Sequence, residues 1–149
     1  MQLAAAVAVG ALIGPSQVGA RVVEMLVGER LHPTATLACA GALVAVGIVL
    51  LACGAGPAAV AVMFYAAGNG VWSIARGTVP LALFGPERYS VVMGRLAAPN
   101  LVVQAAAPFS AGLVIFQVGT ETTLAALATV AAMNLVATTI LVWRRQPER

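Results

Sequence analysis

The sequence has no aspartate, no lysine and a single histidine among its 149 residues. These absences exclude a cluster of paired aspartates and a metal site built from several histidines, so we expect no bound metal. Charged residues make up only 9% of the chain, while hydrophobic residues make up 61%. A soluble domain of this length needs far more charge to cover its surface. The composition therefore predicts an integral membrane protein with the lipid bilayer as its surroundings.

Cysteine is also scarce, and its spacing excludes an internal disulfide. Cys39 and Cys53 fall within one predicted helix, where they are about 21 Å apart along the axis, too far to be bridged. We interpret both as small apolar packing residues. The basic residues are eight arginines, which are spread between apolar stretches instead of being clustered with aromatic side chains. This pattern indicates membrane topology and argues against a nucleic-acid partner.

Five apolar stretches, each long enough to cross a bilayer, follow one another along the chain. They predict an all-α fold, a polytopic membrane helix bundle of about five transmembrane helices in a single domain over 1–149. The spans are expected at 3–26, 34–53, 57–76, 91–116 and 122–143. A short basic tail follows at 144–149.

Proline and glycine predict where these spans bend or end. Pro15 is expected to bend the first span. A straight helix from Pro57 to Phe84 would be about 42 Å long, so we expect a break at 77–80. Turns are expected at 85–88 and 117–121, where glycine occurs beside polar or charged residues.

The arginines orient the five predicted spans. Five crossings place all of them on one side of the membrane, namely Arg21, Arg30, Arg76, Arg88, Arg95, Arg144, Arg145 and Arg149. The opposite side carries only Glu121 as a charged residue. Because basic residues are retained on the cytoplasmic side, this distribution predicts a multi-pass protein with a cytoplasmic C-terminus.

A polar stripe runs along the third predicted span. Tyr65, Asn69, Ser73 and Arg76 follow at i, i+4, i+8 and i+11, which places them on one helical face with Trp72 beside it. Polar side chains within a membrane cost free energy unless they face protein or water. The stripe therefore predicts a lined pathway, and its members are candidate solute or gating contacts.

Alternatives stay open for two of these residues. Asn69 is a solute contact or, equally, an interhelical hydrogen bond that only holds the bundle together. Arg76 is a partner in a mechanistic salt bridge or a topology anchor near the inner interface.

Further candidates lie on other spans. Gln17 and Gln104 are expected near the middle of the membrane, and Asn100 stacks with Gln104 at i, i+4. Arg21 and Glu24 can form an ion pair at the cytoplasmic end of the first span.

Three stretches carry a resemblance to a known family: GPSQVGARVVEMLVGERLHP, GNGVWSIARGTVPLALFGPE and GRLAAPNLVVQAAAPFSAG. Together they look like the C-terminal part of a bacterial major facilitator superfamily transporter, helices eight to twelve of a twelve-helix fold. The most specific part is helix ten, matched here by residues 68–70, 74–77 and 80–85. The resemblance implies a partial C-terminal bundle whose N-terminal half is a missing partner.

The resemblance also implies a function. The expected protein is part of a secondary active transporter in the bacterial inner membrane, moving a small solute by alternating access with proton coupling. Such a protein is not an enzyme and needs no cofactor. The alternative is a small, self-associating membrane protein that has no transport activity of its own.

Overall fold

The computed structural model describes residues 3–28 and 32–145. Its helices are α1 (Leu3–Ala11), α2 (Ile13–Val27), α3 (Pro33–Cys53) and a long helical stretch, Ala58–Arg145. Three stretches of the described chain are long and apolar enough to cross a membrane, namely Leu3–Val27, Pro33–Cys53 and Ala58–Trp143. The predicted all-α fold is thereby confirmed for the described residues, with helices long and apolar enough to span a membrane. Arg30 and the end of the basic tail at 146–149 lie outside the described residues.

Two glycines interrupt the long helical stretch. Gly85 (φ 73°, ψ 170°) and Gly119 (φ 81°, ψ 167°) have backbone angles that are not helical. A positive φ strains any residue with a Cβ atom, which is why glycine occupies both corners. They divide the stretch into three helices, which we label α4 (58–84), α5 (86–118) and α6 (120–145).

The expected break at 77–80 is wrong. The non-helical angles fall only at Gly85 and Gly119, so the described helix α4 continues through Gly77 and Pro80 to residue 84. Pro80 removes one hydrogen bond inside the helix, to the carbonyl of Arg76. Pro80 and its neighbour Val79 are buried, and this packing keeps the helical path despite the lost bond. As a result α4 is longer, and α5 begins earlier, than the sequence predicted.

The first predicted span is divided near Pro15. Leu12 separates α1 from α2 and keeps right-handed helical angles (φ −71°, ψ −17°). Its amide donates to the carbonyl of Val9 at 3.2 Å, which tightens the chain there. Pro15 has no amide proton for the carbonyl of Ala11, the last residue of α1. The interruption therefore follows from the proline, as expected.

The ends of α3 are set by specific residues. His32 is its N-cap, and its Nδ1 accepts from the amide of Thr34 at 3.3 Å. Pro33 occupies the first helical position, where a missing amide proton costs nothing. Gly54 ends the helix with a left-handed conformation (φ 61°).

Close approaches of backbone to backbone hold α4 against two other helices. A Cβ atom built on Gly68 would lie 2.7 Å from the amide nitrogen of Val44 in α3. One built on Gly70 would lie 2.6 Å from the carbonyl oxygen of Gln17 in α2. Only glycine allows such contact, which is the usual way in which membrane helices associate.

Small residues make up the core among these helices. The buried apolar residues described are Ala40, Ala45, Ala61, Ala66, Val71, Ala75, Val79 and Ala131. Thr138 of α6 is also buried, and its Oγ1 lies 3.5 Å from where a Cβ atom of Gly41 would be. Helix α3 therefore packs between α4 and α6.

Most of α5 lies outside this core. Every residue from 101 to 122 is exposed. Large side chains share this exposure, including Phe109 at 75% and Phe116 at 89%. Close to its start α5 does approach α4, since a Cβ atom on Gly77 would lie 3.7 Å from the hydroxyl of Tyr89.

Candidate functional site

The polar stripe of α4 opens into two cavities. Tyr65 and Asn69 line one of about 280 Å³, and Arg76 lines another of about 330 Å³. Trp72 lines both cavities. The Ser73 side chain bonds within its own helix, because its hydroxyl donates to the carbonyl of Gly70 at 2.7 Å. Three of the four predicted stripe residues therefore line a cavity.

The larger of these cavities lies between α4 and α5, and we call it the α4–α5 cavity. Its lining residues are Trp72, Arg76, Met93, Leu96, Ala97, Asn100, Leu101 and Gln104. It unites three candidates that the sequence had placed on two separate spans: Arg76, Asn100 and Gln104. This meeting depends on how α4 and α5 lie together after the corner at Gly85.

Polar groups in the α4–α5 cavity are arranged on both helices. The guanidinium carbon of Arg76 lies 5.9 Å from the centre of the Trp72 ring, in reach of a cation–π interaction. On α5, Nε2 of Gln104 donates to Oδ1 of Asn100 at 3.3 Å. The cavity thus presents a cation and an amide pair beside an aromatic ring, with apolar side chains completing the wall.

Two polar residues of the α4–α5 cavity, Arg76 and Gln104, each precede a proline by four positions. Pro80 follows Arg76, and Pro108 follows Gln104. Since proline has no amide proton, neither cavity residue receives the usual helical hydrogen bond on its carbonyl oxygen. Each helix is therefore easier to bend next to the cavity than a regular helix is.

The second cavity lies among α3, α4 and α6. Asn134 of α6 lines it together with Asn69 and Tyr65 of α4 and Gly41 of α3. Asn134 was not among the candidates from the sequence. The signal available was that it is an amide side chain in a span that is otherwise nearly all apolar. A lone amide at that depth is expected to face protein.

Gln17 meets α4 through its backbone. Its carbonyl oxygen and Cα both lie against Gly70, at 2.6 and 3.0 Å from the position of a Cβ atom there. This contact makes Gln17 a packing position between α2 and α4. A role for its side chain with a solute stays a prediction.

Glu24 lies where α2, α3 and α4 come together. Its Oε1 accepts a hydrogen bond from Oγ1 of Thr36 at 2.8 Å. The same oxygen lies 2.7 Å from where a Cβ atom of Gly28 would be, so a side chain at Gly28 would displace the carboxylate. Arg21 is exposed, and its predicted ion pair with Glu24 stays a prediction. The sequence did not indicate the contact with Thr36.

No protein-family model, no curated protein and no solved structure matches the chain. The resemblance to the major facilitator superfamily therefore stays a prediction. Its support has to come from the chain's own geometry.

Proposed function

We propose that the chain is part of a secondary active transporter of the major facilitator type, which moves a small solute across the bacterial inner membrane by alternating access. One observation carries the proposal. Arg76 of α4 and the amides Asn100 and Gln104 of α5 line one cavity of about 330 Å³. Polar side chains in membrane helices are costly and mark solute pathways. A cavity of this size falls at the lower end of the range for small-molecule sites.

The proposed topology has five crossings. They are Leu3–Val27, Pro33–Cys53, α4, α5 and α6, with the corners at Gly85 and Gly119 on opposite sides of the membrane. In this arrangement Arg76, Arg88 and Arg95 lie towards the Gly85 corner, which is then cytoplasmic. The C-terminus of α6 is on the same side.

The exposure of α5 supports a missing partner. In a complete transporter of this type a second helix bundle covers the pathway, and here residues 101–122 are all exposed. The amide of Gln104 belongs to this exposed part. Facing lipid, an amide costs free energy, whereas facing a second bundle it gains hydrogen-bonding partners. We propose that the N-terminal bundle of the transporter covers this surface.

The second candidate function is a self-associating membrane protein without transport activity. The same exposed surface of α5 favours it, because another copy of the chain can cover the amides as well as a different bundle can. In the transporter the exposed surface of α5 binds the N-terminal bundle, whereas in the self-associating protein it binds another copy of the chain.

Co-expression separates the two functions. The DNA upstream of this chain is expected to encode seven further spans, and we would produce the chain with and without that product. Size-exclusion chromatography in detergent should show self-association of the chain alone, replaced by a one-to-one complex when both are present. Self-association that persists beside the upstream product would overturn the transporter proposal and favour the alternative. Solute flux by liposomes holding this chain alone would also overturn it.

A further inference from the structure

The α4–α5 cavity carries a single kind of charge. Of its described lining residues, Arg76 is the one ionisable group, and the others are amide, aromatic or apolar. The Arg76 side chain is exposed and lies against the face of Trp72. A guanidinium group is always protonated and presents its donors in a planar fork that matches a carboxylate. The cavity therefore attracts anions and repels organic cations.

The amide pair on α5 adds donors of the same kind. Because Gln104 donates one N–H to Oδ1 of Asn100, both N–H groups of Asn100 and one of Gln104 are left for a ligand. These donors and the guanidinium come from different helices and line the same space. Donors converging with one positive charge suit the oxygens of a carboxylate.

The rest of the lining selects the body of the ligand. Met93, Leu96 and Leu101 are apolar, and the indole ring of Trp72 forms a flat aromatic wall. A flat hydrocarbon body gains contact with these groups, whereas a sugar or another polyol would lose hydrogen bonds to water against them. The volume of about 330 Å³ limits the ligand to a small molecule.

We propose that the α4–α5 cavity binds a small organic monoanion, a carboxylate on an apolar or aromatic body. The inference rests on the transporter function proposed above and names its solute class. An anionic lipid headgroup shares part of this chemistry, since its phosphate also suits Arg76. The lipid differs in its body, which consists of acyl chains and has no ring to stack on Trp72.

Fluorescence of Trp72 provides a direct test. The sequence has two tryptophans, so Trp143→Phe leaves Trp72 as the sole reporter in the cavity wall. The full chain is placed in phosphatidylcholine nanodiscs, mostly one copy per disc. It is then titrated with benzoate, benzamide and benzylamine, which share a ring and differ in charge. All lining residues of the cavity belong to α4 and α5, so binding can be measured on this chain without a second bundle.

We expect benzoate to quench Trp72 saturably, benzamide to bind about tenfold or more weakly, and benzylamine not to bind. Arg76→Gln should weaken benzoate by about tenfold or more and leave benzamide unchanged. Arg76→Lys keeps the charge but loses the planar fork of donors, so its affinity for benzoate should fall between those of the parent chain and Arg76→Gln. Arg95→Gln changes the net charge equally outside the cavity lining, and it should bind benzoate as the parent chain does.

Three results would overturn the inference: no saturable quenching by benzoate, equal affinity for benzoate and benzamide, or full benzoate affinity in Arg76→Gln. A parallel series in discs containing phosphatidylglycerol tests the lipid source. Loss of benzoate binding there would assign the cavity to a lipid headgroup and overturn a solute site. None of these measurements uses flux or a second bundle. Their failure therefore leaves the assembly proposal standing, and failure of assembly leaves the binding result standing.

Discussion

Helices α3 and α5 are both rich in apolar residues, yet they differ in how they are packed. Ala40 of α3 is fully buried against α4, whereas Phe116 of α5 is 89% exposed. Lipid tails are as apolar as leucine or phenylalanine, so hydrophobicity alone does not bring membrane helices together. Burial in this chain follows the close approach of small residues instead. Gly68 lies against the backbone of α3, while a methyl group placed on Gly112 of α5 would have no described neighbour within 4 Å.

The comparison also shows which of the two helices is left uncovered. Helix α3 has no amide side chains, and the residues that it buries include Ala40, Gly41 and Gly47. Helix α5 carries Asn100 and Gln104, whose side chains bond to each other at 3.3 Å. All its residues from 101 onwards are exposed. In a membrane the more polar helix is the one that needs covering by protein. Three pairs of variants test this difference between the packed and the exposed region.

The largest effect is expected from Gly68→Ala. The added methyl group would meet the amide nitrogen of Val44 and the carbonyl oxygen of Ala40 at 2.7 and 2.8 Å. Because both are backbone atoms, α3 and α4 have to move apart, and we expect a loss of about 3 kcal/mol in the free energy of unfolding. Thermal unfolding in detergent, followed by circular dichroism, measures it.

Gly112→Ala is the matched control for Gly68→Ala. It makes the same chemical change in the exposed helix, and alanine favours a helix over glycine, so stability should stay equal or rise by up to about 1 kcal/mol. Equal losses in the two variants would show that the packed and exposed regions do not differ as described.

A smaller effect is expected from Thr36→Val. The substitution keeps the shape of a side chain that is only 3% exposed but removes the donor to Glu24. Losing a hydrogen bond to a carboxylate should cost about 2 kcal/mol in the same unfolding measurement. Thr129→Val is its control, because the exposed Thr129 hydroxyl bonds only to the carbonyl of Ala125 in its own helix. If both threonine variants unfold alike, the Glu24–Thr36 contact does not stabilise the bundle.

The smallest effect is expected from Val102→Ala, at a side chain that is 70% exposed. In the chain alone its free energy of unfolding should change by less than about 0.5 kcal/mol. Val79→Ala, at a buried position in α4, should lose about 1 kcal/mol. In complex with an N-terminal bundle, Val102→Ala should become as costly as Val79→Ala. No change on complex formation would contradict the proposed covering of α5.

Local patterns in the sequence predicted some parts of this fold. Hydropathy and the scarcity of charge predicted all-helical, membrane-spanning segments, and α3 begins within one residue of its predicted start. The turns expected at 85–88 and 117–121 contain the non-helical residues Gly85 and Gly119. These features depend on residues close together in the chain, so a single sequence carries them.

Features that depend on packing were harder to predict. The expected break at 77–80 failed because Pro80 is buried and tertiary contacts keep the helix continuous. Helical periodicity placed Tyr65, Asn69 and Arg76 on one face, but it could not show that they line two different cavities, both of which Trp72 also lines. The meeting of Arg76 with Asn100 and Gln104 depends on the relative placement of α4 and α5. No pattern within one helix contains that information.

The contacts at Gly68 and Gly70 have a mechanical consequence. Gly68 and Gly70 are two positions apart, which corresponds to about 200° around the helix axis. Helices α3 and α2 therefore pack against nearly opposite sides of α4. Any roll of α4 about its own axis would drive a Cα hydrogen and its neighbours into the backbone of Val44 or Gln17. Rotation of α4 about its own axis is therefore restricted. With that rotation restricted, a change in the volume between α4 and α5 would come from bending beside the cavity at Pro80 or Pro108, or from α5 turning at Gly85.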